Sequence, residues 1–178
     1  LKNSSLIMGV DFSHDKRVNQ ILENADNECY ILYPGAGSLN LSKKESNLPK
    51  NSKQKVIFII DGTWPCAKKM LKLSSNLHQL PKISFEHSIQ SKFLIKQQPS
   101  PCCLSTIEST KVLLGILNEK NIENLMLNDF LLPFEKMISF QVECIENPPS
   151  GSYRVGEKRE LRKKNSYKKE NGRKLFYS

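Results

Sequence analysis

The chain has 178 residues, of which 38% are hydrophobic, and carries a formal net charge of +9. That length suits one domain with a full core and a tail, and the modest apolar share implies that part of the chain does not pack. The longest apolar runs, such as residues 56–60, are far too short to cross a bilayer, so no membrane partner is expected. No signal-peptide pattern opens the sequence. It begins at Leu1 rather than Met, so a piece of a longer chain is expected.

Five cysteines, Cys29, Cys66, Cys102, Cys103 and Cys144, are odd in number and show no C-x-x-C spacing. Neither a disulfide framework nor a zinc site built by this segment alone is expected, and no metal is evident. Reduced thiols in a cytoplasmic protein are the simpler reading. The charge is uneven. Residues 151–178 hold ten Lys and Arg against three Glu, which is seven of the nine net positive charges. This stretch reads as a flexible basic tail following a domain over residues 1–150. Arg154, Arg159 and Arg162, among interspersed tyrosines, suit an arm on RNA phosphate; the competing reading is a solubilising tail.

In chain order, residues 6–10 form an apolar run expected to be a strand. Val18, Ile21, Leu22 and Ala25 then fall on one helix face. Residues 29–33 read as a buried strand that stops at Pro34-Gly35. Residues 42–55 are polar and lysine-rich, a surface loop. Residues 56–60, "VIFII", are the clearest strand, apolar without alternation and so buried on both faces. The next helix turns Ala67, Met70, Leu71 and Leu73 inward, with Pro65 in its first turn. Residues 82–85 are a fourth strand. Ser105 opens a helix to Leu117, with Ile107, Leu114 and Leu117 on one face. A last helical stretch is expected from about Ile122 to Ile145, interrupted at Pro133. Strands alternating with helices imply an α/β domain with a mainly parallel sheet and flanking helices.

Parallel α/β sheets bind ligands beyond the carboxyl ends of their strands. Three segments are placed to meet there: "YPGAGS", "DGTWP" and "CLSTIES". A strand ending in Asp also suits nucleotide hydrolases, but the chain has no G-x-x-x-x-G-K-[ST] loop. Haloacid-dehalogenase-type phosphatases need a nucleophilic Asp two residues earlier, where this chain has Ile59. His14, His78 and His87 follow no nucleophile-elbow pattern, which argues against a Ser/His/Asp hydrolase.

Four segments in order, "GVDFSHDKRVN" (9–19), "LYPG" (32–35), "DGTWPCAKKML" (61–71) and "LSTIES" (104–109), resemble the DTW-domain family of tRNA-uridine aminocarboxypropyltransferases. The resemblance spans roughly residues 7–118. It implies a fold related to the knotted SPOUT transferases that binds S-adenosylmethionine as co-substrate. It also implies transfer of the 3-amino-3-carboxypropyl group to uridine in tRNA, leaving methylthioadenosine. Many members carry an N-terminal cysteine cluster that looks zinc-binding, and this chain shows none.

Under that resemblance Asp61, Thr63 and Trp64 are the catalytic candidates. Asp61 is placed to take the imide proton of uracil; capping the helix or holding the cofactor's ammonium group are its other roles. A dry strand end would raise its pKa and the following helix start would lower it. Thr63 suits a helix cap. Trp64 suits stacking on a base or packing between helix and sheet. The cofactor candidates are Tyr33, Pro34, Gly35, Gly62, Leu104, Ser105, Thr106 and Glu108. Ser105 to Glu108 is also a capping-box pattern whose free N–H groups suit a carboxylate. Arg17, Lys53, Lys68 and Lys92 join the tail as RNA-phosphate candidates. An RNA methyltransferase and a non-catalytic RNA-binding module are the alternatives, and the pattern leaves the oligomeric state open.

Overall fold

The structure is a computed structural model describing residues 3–93, 95 and 103–147. The basic tail, with Arg154, Arg159 and Arg162, lies outside the described residues. The chain divides into two compact units, Leu1–Leu132 and Pro133–Ser178.

The first unit is built on four strands: β1 (Asn27–Leu32), β2 (Leu39–Asn40), β3 (Gln54–Phe58) and β4 (Lys82–Ser84). They form one sheet in the order β2-β4-β1-β3, parallel at every pairing. The helices of this unit are α1 (Lys16–Glu23), α2 (Trp64–Leu73), α3 (Ser75–His78) and α4 (Thr106–Glu119). The α/β reading with a parallel sheet and flanking helices therefore holds.

Alternation along the strands separates two apolar clusters. Tyr30, Leu32, Ile57, Ile59 and Ile83 pack with Leu113 and Leu117 of α4. Ile31, Tyr33, Phe58 and Ile60 pack with Val18 of α1, Leu71 of α2 and Leu77 of α3. Ile31 and Ile83 are both 0% exposed. Burial of that kind stabilises by about 1.5–3 kcal/mol per side chain.

Local chemistry sets the helix ends. The Asp15 carboxylate caps α1 by accepting from the amides of Arg17 and Val18 at 2.9 and 3.1 Å. Helix α4 ends in a Schellman motif: Asn121 takes a left-handed φ of 55°, and the Ile122 amide donates to Leu117 O at 2.9 Å. Ile122 also packs on the α4 cluster.

Several expectations are corrected. Residues 6–10 form no strand, and Leu6, Met8 and Val10 are exposed while Ile7 packs on the α1–α2 cluster. No strand of the sheet pairs with them, so an apolar run alone made no strand. Ala25 lies beyond the end of α1, and Leu73, at 42% exposure, does not point inward. Residues 42–55 are not wholly a surface loop. Leu48 is buried in the α4 cluster, the Lys120 ammonium donates to Ser46 O at 2.7 Å, and β3 begins at Gln54. Residues 122–131 are not helical, because the Schellman turn at Asn121 ends α4 there.

The second unit contributes α5 (Leu132–Glu146), which buries Phe134 and Ile138. Pro133 sits in its first turn, where a missing N–H leaves no bond unmade, so it opens this helix instead of interrupting one.

Candidate active site

The strand register brings three chain segments to one level. Ile31 pairs with Phe58 across β1 and β3, and Leu32 with Ile83 across β1 and β4. The Tyr33 amide then donates to Ile83 O at 3.0 Å. All three strands run the same way, so "YPG" after β1, "DGTWP" after β3 and residues 85–93 after β4 leave the sheet at its carboxyl end.

The first two segments touch through their aromatic rings. Tyr33 and Trp64 meet edge to face, with centroids 6.2 Å apart and planes at 71°. Both are half-buried, and burial pushes the Tyr33 phenol above its ordinary pKa. Trp64 is the first residue of α2, so the helix start and the strand end hold the pair together.

Past Pro34 the backbone turns at Gly35, with φ 153°, a conformation that side-chain-bearing residues rarely adopt. A Cβ built there would meet nothing within 4 Å, so open space lies beside the turn. The Ser38 hydroxyl closes the turn by donating to Gly35 O at 2.8 Å.

The third segment is tied to the start of α4 by Glu108, which is 5% exposed. Its carboxylate accepts four hydrogen bonds: from the Ser105 amide (2.8 Å) and hydroxyl (2.6 Å), the Ser91 hydroxyl (2.8 Å) and the Lys92 amide (2.7 Å). Burial alone would raise the Glu108 pKa, but the bonds from Ser105, Lys92 and Ser91 outweigh it and leave the pKa lowered. The Ser105 hydroxyl also accepts from the Glu108 amide at 3.4 Å. The capping box is therefore complete, and the amides of Thr106 and Ile107 stay without an intrahelical acceptor.

The DTW domain matches residues 1–142. The chain belongs to the DTW-domain family. Among curated proteins, the DTW chain is 37% identical over 137 residues to the mouse (Mus musculus) tRNA-uridine aminocarboxypropyltransferase 2, covering 76% of this chain and 44% of that protein. It is 39% identical over 113 residues to the Macaca fascicularis protein of the same name, covering 64% and 36%. With the Drosophila melanogaster protein of that name the identity is 27% over 148 residues, covering 83% and 54%. The chain thus spans about half the length of these relatives or less. No solved structure matches it.

Within this DTW domain the predicted site residues divide. Tyr33, which Pro34 and Gly35 follow, meets Trp64, while Leu104, Ser105, Thr106 and Glu108 are grouped at the α4 start with Lys92. Asp61, three residues before Trp64, is exposed, so it does not stand at a dry strand end. Thr63 occupies the N-cap of α2 and its carbonyl accepts from Ala67 at 2.8 Å, but its side chain makes no cap bond. Pro65 at the second helical position lacks one of the N–H groups a cap would use.

Gly62 does not adopt a left-handed φ, and a Cβ there would meet the Cys66 Cβ at 3.4 Å, an ordinary contact. The turn itself does not require glycine at that position. Glu108 accepts three of its hydrogen bonds at Oε2 and one at Oε1, and so shapes the helix start. Of the basic candidates, Lys68 stands one turn after Trp64 on α2. Arg17 is exposed, with Nη2 3.5 Å from Asp15 Oδ2. Lys53 precedes β3 and therefore lies at the amino end of that strand, opposite Asp61.

Among the described residues, no cluster of three or more His, Cys, Asp or Glu stands ready to hold a metal ion. Nor is any helix there long and apolar enough to cross a membrane. His87, weighed in the sequence only as a hydrolase residue, carried no assigned role. This residue follows β4, tilts against Phe85 with centroids 5.7 Å apart, and has its Nδ1 buried without a hydrogen-bond partner. A buried polar atom left unpaired costs about 1–3 kcal/mol.

Proposed function

We propose that this chain transfers the 3-amino-3-carboxypropyl group of S-adenosylmethionine to a uridine of tRNA, leaving methylthioadenosine. The observation that carries the reading is the meeting of Tyr33 with Trp64 beside Asp61 at the carboxyl end of a parallel sheet. Family membership and the names of the curated relatives support it. We read the sheet as a cofactor-binding sheet of the SPOUT-related kind.

The residues fit such a co-substrate. The Tyr33–Trp64 pair offers an apolar wall for a base, the space beside Gly35 admits a bulky group, and the Thr106 and Ile107 amides suit a carboxylate. When bound, S-adenosylmethionine supplies a carbon made electrophilic by its sulfonium. The turn from Asp61 to Pro65 positions the uracil so that its imide nitrogen faces that carbon. Asp61 would take the imide proton as the uracil nitrogen bonds that carbon and the carbon–sulfur bond breaks, its electron pair going to the sulfur of the released methylthioadenosine, and would itself become a neutral carboxylic acid. Its exposure gives it access to both base and solvent, so the proton is returned to water afterwards. Lys68, Lys92 and the tail at Arg154, Arg159 and Arg162 bind tRNA phosphate.

The small product tests this reading. Incubation with tRNA and S-adenosylmethionine must yield methylthioadenosine. S-adenosylhomocysteine would instead mark a methyltransferase, and tRNA binding without either product would mark a binding module.

A further inference from the structure

The helix that leaves the candidate site carries a positive face with no carboxylate on it. Between Asp61 and Glu86 the chain holds Lys68, Lys69, Lys72 and Lys82 and neither Asp nor Glu. The first three of these lysines stand on α2. Among the described residues, every other helix of eight residues or more contains at least one glutamate. The chain before the tail is not strongly basic, since residues 1–150 carry only +2 of the net charge. The concentration on α2 is therefore local.

Helical geometry groups these lysines. Lys68 and Lys72 are one turn apart, and Lys69 adjoins Lys72 at the i+3 position. Ala67 and Leu71 are buried, whereas all three lysines are exposed. Among the described residues, neither Lys69 nor Lys72 belongs to an ion pair. Like charges one turn apart repel and weaken a helix. The macrodipole favours Lys72 in the last turn, but it gives no reason for two further lysines beside it. An anionic partner would relieve the repulsion.

The face also continues from the site. Trp64, Lys68 and Lys72 fall on one i, i+4, i+8 ridge of α2, and the Trp64 ring meets Tyr33. At 1.5 Å per residue, Lys72 stands about 12 Å along the helix from Trp64. We propose that this face of α2 is a track for the phosphodiester backbone of tRNA beside the target uridine, on which Lys69 and Lys72 join Lys68 in holding phosphates. This rests on the transferase reading above, which supplies the polyanion. Phosphate contacts fix the register of a strand and carry no base information. The track thus aligns the RNA while the turn at Asp61 to Pro65 receives the base.

The test is tRNA binding by the full chain as a function of salt, with the rate of aminocarboxypropyluridine formation measured alongside. The double variant Lys69→Gln, Lys72→Gln removes two exposed charges. It is expected to bind tRNA about tenfold more weakly or worse at low salt. Its slope of log binding constant against log salt should be shallower by about 1.4–1.8. The KM for tRNA should rise, while kcat at saturating tRNA and calorimetric affinity for S-adenosylmethionine stay at the parent values. Lys69→Arg, Lys72→Arg keeps both charges and should retain the parent slope. Lys50→Gln, Lys53→Gln removes the same charge from the exposed segment before β3 and should leave the slope nearly unchanged. Parent-like binding by the glutamine pair on α2, an equal loss in the Lys50 and Lys53 pair, or an equal loss in the arginine pair overturns the inference while the transferase reading stands. If the parent chain binds no tRNA or forms no aminocarboxypropyluridine, the transferase reading itself fails and takes this inference with it.

Discussion

The rings of Tyr33 and Trp64 meet edge to face at 6.2 Å and join the end of β1 to the start of α2. Edge-to-face pairs contribute about 0.5–1.5 kcal/mol beyond their buried area. A double-mutant cycle of Tyr33→Ala and Trp64→Ala by urea unfolding should return a coupling in that range, and a coupling of zero would show that the rings only share a surface. Trp64 is the sole tryptophan of the chain. Its fluorescence should therefore change on addition of tRNA or S-adenosylmethionine, and the change should vanish in Trp64→Phe.

The two helix starts of the site predict opposite responses to losing a hydroxyl. The Ser105 hydroxyl accepts from the Glu108 amide and completes a capping box, whereas the Thr63 side chain makes no cap bond. Ser105→Ala should cost about 1 kcal/mol of stability, as caps of this kind do. Thr63→Ala should stay within about 0.5 kcal/mol, as for an ordinary surface change. If Thr63→Ala lowers turnover while leaving the urea midpoint in place, its hydroxyl serves the site and not the helix.

Glu108 joins residues 91–92 to α4 through four accepted hydrogen bonds. Glu108→Gln places an amide NH2 among donors and should cost about 1–3 kcal/mol. The pKa of Glu108 in the folded chain is lowered from its ordinary 4.5. Its contribution is thus fully present above the unfolded value and is lost as pH falls through the folded value. Unfolding midpoints measured from pH 7 down to pH 3 should fall less steeply for Glu108→Gln than for the parent. Parallel slopes would remove Glu108 from the acid response.

Association with tRNA should be driven by phosphate contacts. The logarithm of the binding constant should fall linearly with the logarithm of salt, at about 0.7–0.9 per phosphate neutralised. Removing residues 151–178, which carry seven of the nine net positive charges, should make that slope shallower. Lys53→Ala should leave it nearly unchanged, since Lys53 lies at the amino end of β3. A slope indifferent to the tail would assign it to solubility alone.

Much of this fold could be read from residue order because local chemistry agreed with tertiary packing. The β-branched run at Val56 marked β3, although that strand spans Gln54–Phe58 and ends before Ile59 and Ile60, and the apolar stretch before Pro34 marked its partner β1. The S-x-x-E spacing located the start of α4 to the residue. The misreadings came where tertiary context decided. The apolar run at residues 6–10 found no sheet edge to join. The pattern after Asn121 looked helical, but a left-handed Asn ended α4. Thr63 carried the chemistry of a cap, and Pro65 removed one of its targets. In the site itself, the D-x-T-W signature pointed to Asp61 and Trp64. The reach of Glu108 back to Ser91 and Lys92, and the burial of His87 Nδ1, depend on contacts between segments that no local spacing encodes.

The account stands most directly on the nucleoside formed. Mass spectrometry of tRNA digested after incubation with the protein and S-adenosylmethionine should show 3-(3-amino-3-carboxypropyl)uridine. Asp61→Asn, exposed and so expected to fold normally, should cut its rate of appearance by about 10²–10⁴-fold, the range of a lost general base. Aminocarboxypropyluridine formed at the parent rate by Asp61→Asn would contradict the assigned proton transfer. A methylated uridine in its place, or unmodified tRNA bound by the parent protein, would contradict the account as a whole.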